Sequence, residues 1–328
     1  MAGAAVLVLV SVGLQAGATI VDERRFPPPG ELIDVGGHRL HVVCRNAVVS
    51  GFSGTVILDA GAGGWSLLHE GLVSQISDLA HVCSYDRAGL GASEEGPAPR
   101  TSAVMAEELK TLLEGRVVPK PYVLVGFSLG GYNTRVFAET YPNLVAGIVL
   151  AESAHERQWD ELPHELRDLV ESSIAGMRAA ELMARLGILR LLKSSLGGEE
   201  VDPAVRQRYE AAMVRPEFYR TMIGEMGHAF ESAAQVGRAS DLGSRPLAVV
   251  TAGNSLAAFE AVAPDLPVAD GNRVWARLQE EFLGLSTNSR QFLSVNSTHD
   301  IANDDPQMVV DAVRWVLESL AAGEKTDD

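Results

Sequence analysis

The residues able to do chemistry fall in a few short stretches. Gly126-Phe127-Ser128-Leu129-Gly130 is a G-x-S-x-G pentapeptide that follows the apolar run Tyr122-Val123-Leu124-Val125 and precedes a helical segment from about Tyr132 to Thr140. A serine at such a strand-to-helix turn adopts a strained backbone that projects its hydroxyl, and glycines two residues to either side let neighbouring chain pass without a clash. Ser128 is therefore the expected nucleophile. A serine hydroxyl is weak at neutral pH and needs a base. Of eight histidines, His299 is the best placed, in the polar loop Asn296-Ser297-Thr298-His299-Asp300 beyond the expected strand Gln291–Val295. Loops outside the carboxyl ends of strands are where an open α/β sheet holds its ligands. His38 and His41 fall in an early strand, and His69, His81, His155, His164 and His228 read as surface, strand-end or lid residues, with His155 near the site.

The imidazole in turn needs an acid to fix its tautomer and stabilise its charge. The chain after the expected strand Leu247–Thr251 continues Ala252-Gly253-Asn254-Ser255 and offers no carboxylate. Glu152, which ends the strand Ala146–Ala151, is the preferred acid, with Asp265 and Glu260 as alternatives. An oxyanion hole needs two backbone N–H groups aimed at the developing charge. Leu129 supplies one, and the glycine-rich loop Asp59-Ala60-Gly61-Ala62-Gly63-Gly64-Trp65 the other, from Ala62 or, second, Gly63. Gly61, Gly63, Trp65 and Phe127 make up the expected substrate-binding surface. No Gly-Lys-Ser/Thr follows the loop and no G-x-G-x-x-G opens a helix, so phosphate binding is excluded. Two cysteines, Cys44 and Cys83, give no zinc spacing, so neither a metal nor a cofactor is expected. They can form one bridge at most, and export would favour it.

These residues need a sheet to carry them. Short apolar runs alternate with helical or loop segments, as in a parallel sheet covered by helices, with strands expected at His38–Val43, Thr55–Leu58, His81–Tyr85, Tyr122–Gly126, Ala146–Ala151, Leu247–Thr251 and Gln291–Val295. From about 153 to 243 the alternation gives way to helical spacing, for example Leu166, Leu169, Val170, Ile174 and Met177. This reads as a helical cap, broken at Gly197-Gly198 and Asp202-Pro203, with Leu182, Met183, Leu186, Ile188, Leu191 and Leu192 as candidate lining. The expected organisation is a hydrophobic segment over 1–21, a Pro-rich linker over 22–30, a core over 31–152, the cap over 153–243 and the rest of the core over 244–328, closed by a helix at Met308–Ala321.

Residues 1–21 carry no charged side chain, so they read as an uncleaved membrane anchor or as a signal peptide cut after Ala16-Gly17-Ala18. Either one places the protein on a membrane or outside the cytoplasm. Across the whole chain, 27 Lys and Arg against 43 Asp and Glu leave a net charge of −16, which repels polyanions and excludes nucleic acid as a partner.

Ser84-Tyr85-Asp86-Arg87-Ala88-Gly89-Leu90-Gly91-Ala92-Ser93 is similar to the D-R-x-G-x-G-x-S segment of the α/β-hydrolase superfamily. With the elbow and His299 it makes residues of about 31 to 320 resemble that superfamily, most closely esterase-like and lipase-like members with an N-terminal hydrophobic segment and a helical cap. The resemblance implies an α/β-hydrolase fold, a mostly parallel eight-stranded sheet flanked by helices with an inserted cap. It also puts Cys44 and Cys83 on the second and fourth strands, which are neighbours in this fold, so a cross-strand disulfide becomes geometrically reasonable. Phe127 and Ala60 stand where histidine is common, a departure that bears on substrate class. The acid is missing after the seventh strand, but some members, including certain dehalogenases, carry it after the sixth, as Glu152 would be. Dehalogenases and epoxide hydrolases use an aspartate nucleophile, whereas Ser128 points to acyl transfer. The expected function is cofactor-independent hydrolysis of carboxylic esters, with a small-molecule ester as substrate, through an acyl-enzyme. Alternatives on the same residues are an amidase or aminopeptidase, a C–C bond hydrolase, and a non-catalytic ligand-binding homologue.

Overall fold

The computed structural model describes residues 2–48, 51–193, 196, 205–236 and 241–324. Its strands are β1 (Glu31–Asp34), β2 (Arg39–Arg45), β3 (Thr55–Asp59), β4 (His81–Tyr85), β5 (Tyr122–Phe127), β6 (Val145–Ala151), β7 (Leu247–Ala252) and β8 (Ser289–Ser294). They form one sheet in the order β1-β2-β4-β3-β5-β6-β7-β8. The β1–β2 and β2–β4 pairs are antiparallel and all other pairs are parallel. β3, β5 and β7 are buried along their whole length, which is why they read as unbroken apolar runs in the sequence.

Alternate side chains of these strands face opposite layers. Leu124, Ile148 and Val249 pack with Leu109, Leu112 and Phe137 of the helices Ser102–Gly115 and Leu129–Thr140. Val123, Val149 and Val250 pack with Leu72 and Ile76 on one helix and with Val309, Val313 and Val316 of the closing helix Pro306–Glu324. The seven expected strands are present with no end shifted by more than two residues. β1 had no apolar run to announce it, because it is a four-residue edge strand with only one half-buried position. Cys44 and Cys83 lie directly opposite each other across β2 and β4 and are disulfide-bonded, and among the described residues no cysteine is free.

Between β6 and β7 the chain is helical, with helices at Gln158–Glu161, His164–Arg185, Ile188–Leu191, Arg206–Met213, Pro216–Gly227 and Ala229–Val236. The breaks expected at Gly197-Gly198 and Asp202-Pro203 lie outside the described residues. Leu182, Ile188, Leu191 and Leu192 are exposed on the cap, whereas Met183 packs into the cluster around Trp65.

At the other end a helix spans Ala2–Arg25, four residues into the segment assigned to the linker. Glu23, Arg24 and Arg25 are good helix formers, and the first residue to oppose helix is Pro27. By length and composition Val6–Arg25 could cross a membrane. Its contact with the cap is polar. Gln15 Nε2 donates to Val214 O at 2.9 Å, and Arg190 donates to Gln15 Oε1 at 2.5 Å and to Thr19 Oγ1 at 2.9 Å, and pairs with Asp22. The consecutive residues Val6 to Val10 are exposed, so the apolar surface of this helix faces outward.

Candidate active site

Ser128 sits between β5 and the helix Leu129–Thr140 with φ 48° and ψ −118°, a conformation that costs a non-glycine residue about 1–3 kcal/mol. The glycines around it are required by close passage. A Cβ on Gly130 would lie 2.3 Å from Asp59 O, and one on Gly126 would lie 2.6 Å from Gly130 O. The turn is held by Ser128 O, which accepts the N–H groups of Gly131 (2.9 Å) and Ala154 (3.0 Å).

His299 lies in the turn after β8, shaped by Asp304, which accepts both the N–H and the hydroxyl of Thr298 at 2.7 Å. Its Nε2 is 3.0 Å from Ser128 Oγ, and its Nδ1 is 3.1 Å from Glu152 Oε2. Glu152 follows β6 directly and is 1% exposed, with φ 47°. Its second oxygen accepts the N–H of Ala252 at 2.7 Å, and its own N–H donates to Val250 O at 2.8 Å. Residues of β7 therefore hold both the backbone and the carboxyl of Glu152. Glu260 and Asp265 are exposed on the segment after β7, and the structure brings Glu152 to the imidazole instead.

The loop after β3 passes beside the nucleophile, where a Cβ on Gly61 would lie 3.2 Å from Ser128 Cβ. Leu129 opens its helix, so its N–H is one of the first four that a helix leaves without an internal partner. Ala62 stands two peptide units from Ala60, whose carbonyl is held by Arg87, as is that of Gly61.

A family model for the alpha/beta hydrolase fold matches residues 54–192. The fold is that of an α/β hydrolase. The Probable transporter efuK of Hormonema carpetanum is 27% identical over 313 residues, 89% of this chain and 43% of that protein. The Uncharacterized protein YqjL of Bacillus subtilis (strain 168) is 26% identical over 262 residues, 78% of this chain and 80% of that protein. The chain thus spans less than half the length of the first of these relatives. Among solved structures, the haloalkane dehalogenase DatA of Agrobacterium tumefaciens C58 superposes with a TM-score of 0.66 at 12% identity, over 88% of this chain and 96% of that one. The esterase EaEST of Exiguobacterium antarcticum does so with 0.61 at 13%, over 88% and 99%.

Within this α/β-hydrolase fold Trp65 and Phe127, two of the expected substrate contacts, are both buried against other side chains. Trp65 is buried under the cap, stacked on Tyr209 with ring centroids 5.4 Å apart and edge-on to Phe218 at 5.9 Å. It also borders a cavity of about 710 Å³ whose lining includes Thr19, Glu31, His41 and Arg208 but neither Ser128 nor His299. Phe127 packs on His69, 4.7 Å between centroids, within the layer that holds the closing helix. Gly63, at φ 69°, is roofed by Met222 of the cap, and a Cβ there would lie 2.1 Å from Met222 Sδ.

Sequence reasoning missed two residues at the site. Trp275, 4% exposed, sets its ring edge-on to His299 at 5.4 Å. It shares the buried face of the helix Val268–Glu281 with Val268, Gly271 and Leu278, a helical spacing that could have marked it. Glu225, from the cap helix Pro216–Gly227, pairs with Arg87 of the Asp86-Arg87 motif, Nε to Oε1 at 2.7 Å. Burial works against the charge on Arg87, but Glu225 and Asp59 outweigh it and hold its pKa above the ordinary value. Asp86 structures the rest of that motif, accepting the N–H groups of Ser66 (2.7 Å) and Ala92 (2.8 Å) and bonding His41 Nδ1 at 2.8 Å.

Proposed function

We propose that this chain is a serine hydrolase of carboxylic esters. The observation that carries the reading is the continuous chain of hydrogen bonds from Ser128 Oγ through both nitrogens of His299 to the buried Glu152. His299 Nε2 takes the hydroxyl proton as Ser128 Oγ attacks the ester carbonyl carbon, and Glu152 stabilises the imidazolium that results. The N–H groups of Ala62 and Leu129 receive the oxyanion. As the tetrahedral adduct collapses, the alcohol leaves with the proton from His299. Water, deprotonated by the same imidazole, then attacks the acyl carbon and releases the acid and Ser128. No cofactor enters the cycle.

The dehalogenase neighbours share the fold, but serine changes what the nucleophile can accomplish. Displacement of a halide by a serine oxygen would leave an alkyl ether, which has no carbonyl for water to attack. An acyl group on the same oxygen is an ester and turns over. Support for a membrane-bound or exported location comes from the apolar N-terminal helix, read as anchor or signal, together with the disulfide, which persists in oxidising compartments.

The test is hydrolysis of p-nitrophenyl esters from acetate to palmitate by the full chain, beside Ser128→Ala. Turnover that disappears in the variant is the expected result. Turnover equal in both proteins would remove Ser128 from the chemistry, and activity confined to anilides would reassign the chain as an amidase.

A further inference from the structure

The cap helix Pro216–Gly227 rests on the core through Phe218, Thr221, Met222 and Glu225, one face at helical spacing. Met222 covers Gly63, and a Cβ on Gly89 would lie 1.9 Å from Thr221 Oγ1. Glu225, 0% exposed, is the charged member of that face. Its carboxylate accepts Arg87 Nε at 2.7 Å and Nη2 at 3.0 Å, and the backbone N–H of Gly63 at 3.3 Å. Arg87 continues downward, Nη1 donating to Ala60 O at 2.6 Å and Nη2 to Gly61 O at 2.7 Å.

The peptide bond makes these contacts directional. The Gly61 carbonyl and the Ala62 N–H belong to one planar trans unit and point opposite ways. By holding Gly61 O, Arg87 aims the Ala62 N–H. By holding the Gly63 N–H, Glu225 fixes the next peptide plane and withdraws that donor from the site. One ion pair thus pins both peptide planes that flank Ala62, and half of it comes from the cap.

We propose that Glu225 is a positioning residue through which the seated cap sets the oxyanion hole. The inference rests on the ester-hydrolase reading of Ser128 and Ala62. When the cap helix is displaced, Arg87 keeps Asp59, to which Nη1 donates at 2.8 Å. The Gly63 N–H and Arg87 Nε then lose their acceptor, and the Ala62 N–H loses its fixed direction.

Glu225→Gln in the full chain keeps the side-chain volume and removes the charge. Loss of one preorganised oxyanion donor typically costs on the order of 100-fold or more in kcat, and a misdirected donor less, so kcat for a p-nitrophenyl ester should fall roughly 10- to 100-fold with KM within about threefold. A trifluoromethyl ketone, which adds Ser128 Oγ to its carbonyl carbon and leaves an oxyanion, should lose affinity by the same factor. Amide hydrogen exchange over 60–64 should quicken while β3 is unchanged. Wild-type kcat and ketone affinity, a change in KM alone, or unaltered exchange over 60–64 would each overturn the proposal. Were the wild-type chain to hydrolyse no ester, the ester reading would fail on its own, and the exchange comparison would still decide for or against the clamp.

Discussion

Glu152 does two things with two oxygens. One holds Nδ1 of His299 and the other accepts the Ala252 N–H, so neither is spare. A glutamine there has one acceptor oxygen, and either the imidazole or the Ala252 N–H must face an amide NH₂ instead. Glu152→Gln should therefore lower kcat by about 10⁴-fold, by analogy with loss of the carboxylate in serine triads, with little change in KM. Release of p-nitrophenol by the two proteins, compared in the pre-steady state and the steady state, is the measurement, and both phases should slow in the variant because Glu152 supports the imidazolium in acylation and deacylation alike. The pairing of Glu152 was legible because a run of apolar residues ended in a carboxylate that no core would tolerate without a partner. Trp275 and Glu225 were not legible as site residues, since each reaches the site only through the packing of a helix remote in sequence, and neither belongs to a motif.

At the scale of elements, the parallel strands were legible because burial on both faces demands continuous Val, Ile and Leu. The antiparallel edge was not, because β1 is exposed and too short to show a period. That edge is tied to the sheet by Cys44–Cys83, which closes a loop of sequence separation 39 around β3. Cross-linking across a loop of this size stabilises by roughly 3–4 kcal/mol, chiefly by restricting the unfolded chain. Cys44→Ser with Cys83→Ser should lower the unfolding free energy by about that amount and leave KM unaltered, read by urea denaturation with and without reductant on the parent. A parent indifferent to reductant would show that the bridge does not constrain the unfolded state.

For the whole molecule, acid is the expected weak point. His69 is buried with no partner for Nδ1 among the described residues, and burial, joined by the nearby Arg87 charge, lowers its pKa to about 4. Burial likewise lowers His155 to about 4, against the pull of Glu156. For Glu156 burial acts to raise the pKa, but the hydrogen bond and charge of Arg135 bring it to about 2. The unfolded chain takes up a proton at each histidine near pH 6.5 while the folded one resists until about 4. The stability these two histidines contribute is thus complete above 6.5 and falls as pH drops toward 4, and Glu156 adds to the loss only below about 4.5. His69 accounts for roughly 3 kcal/mol of this at most. Thermal midpoints of His69→Leu should depend less on pH between 7 and 4 than those of the parent, and an equal dependence would rule His69 out as the cause.

The groups proposed to react are divided unevenly by the cap. Ser128, Glu152, Ala62 and Leu129 precede it, and His299 alone follows it. His299 is also far more open to solvent than its partner acid, its side chain 39% exposed against 1% for Glu152. The second half of the chain therefore contributes a single diffusible chemical function at an open position. His299→Gly leaves a vacancy bounded by a pre-aimed hydroxyl and carboxylate, and free imidazole at tens of millimolar should restore part of the turnover, saturably, while Glu152→Gln stays beyond rescue.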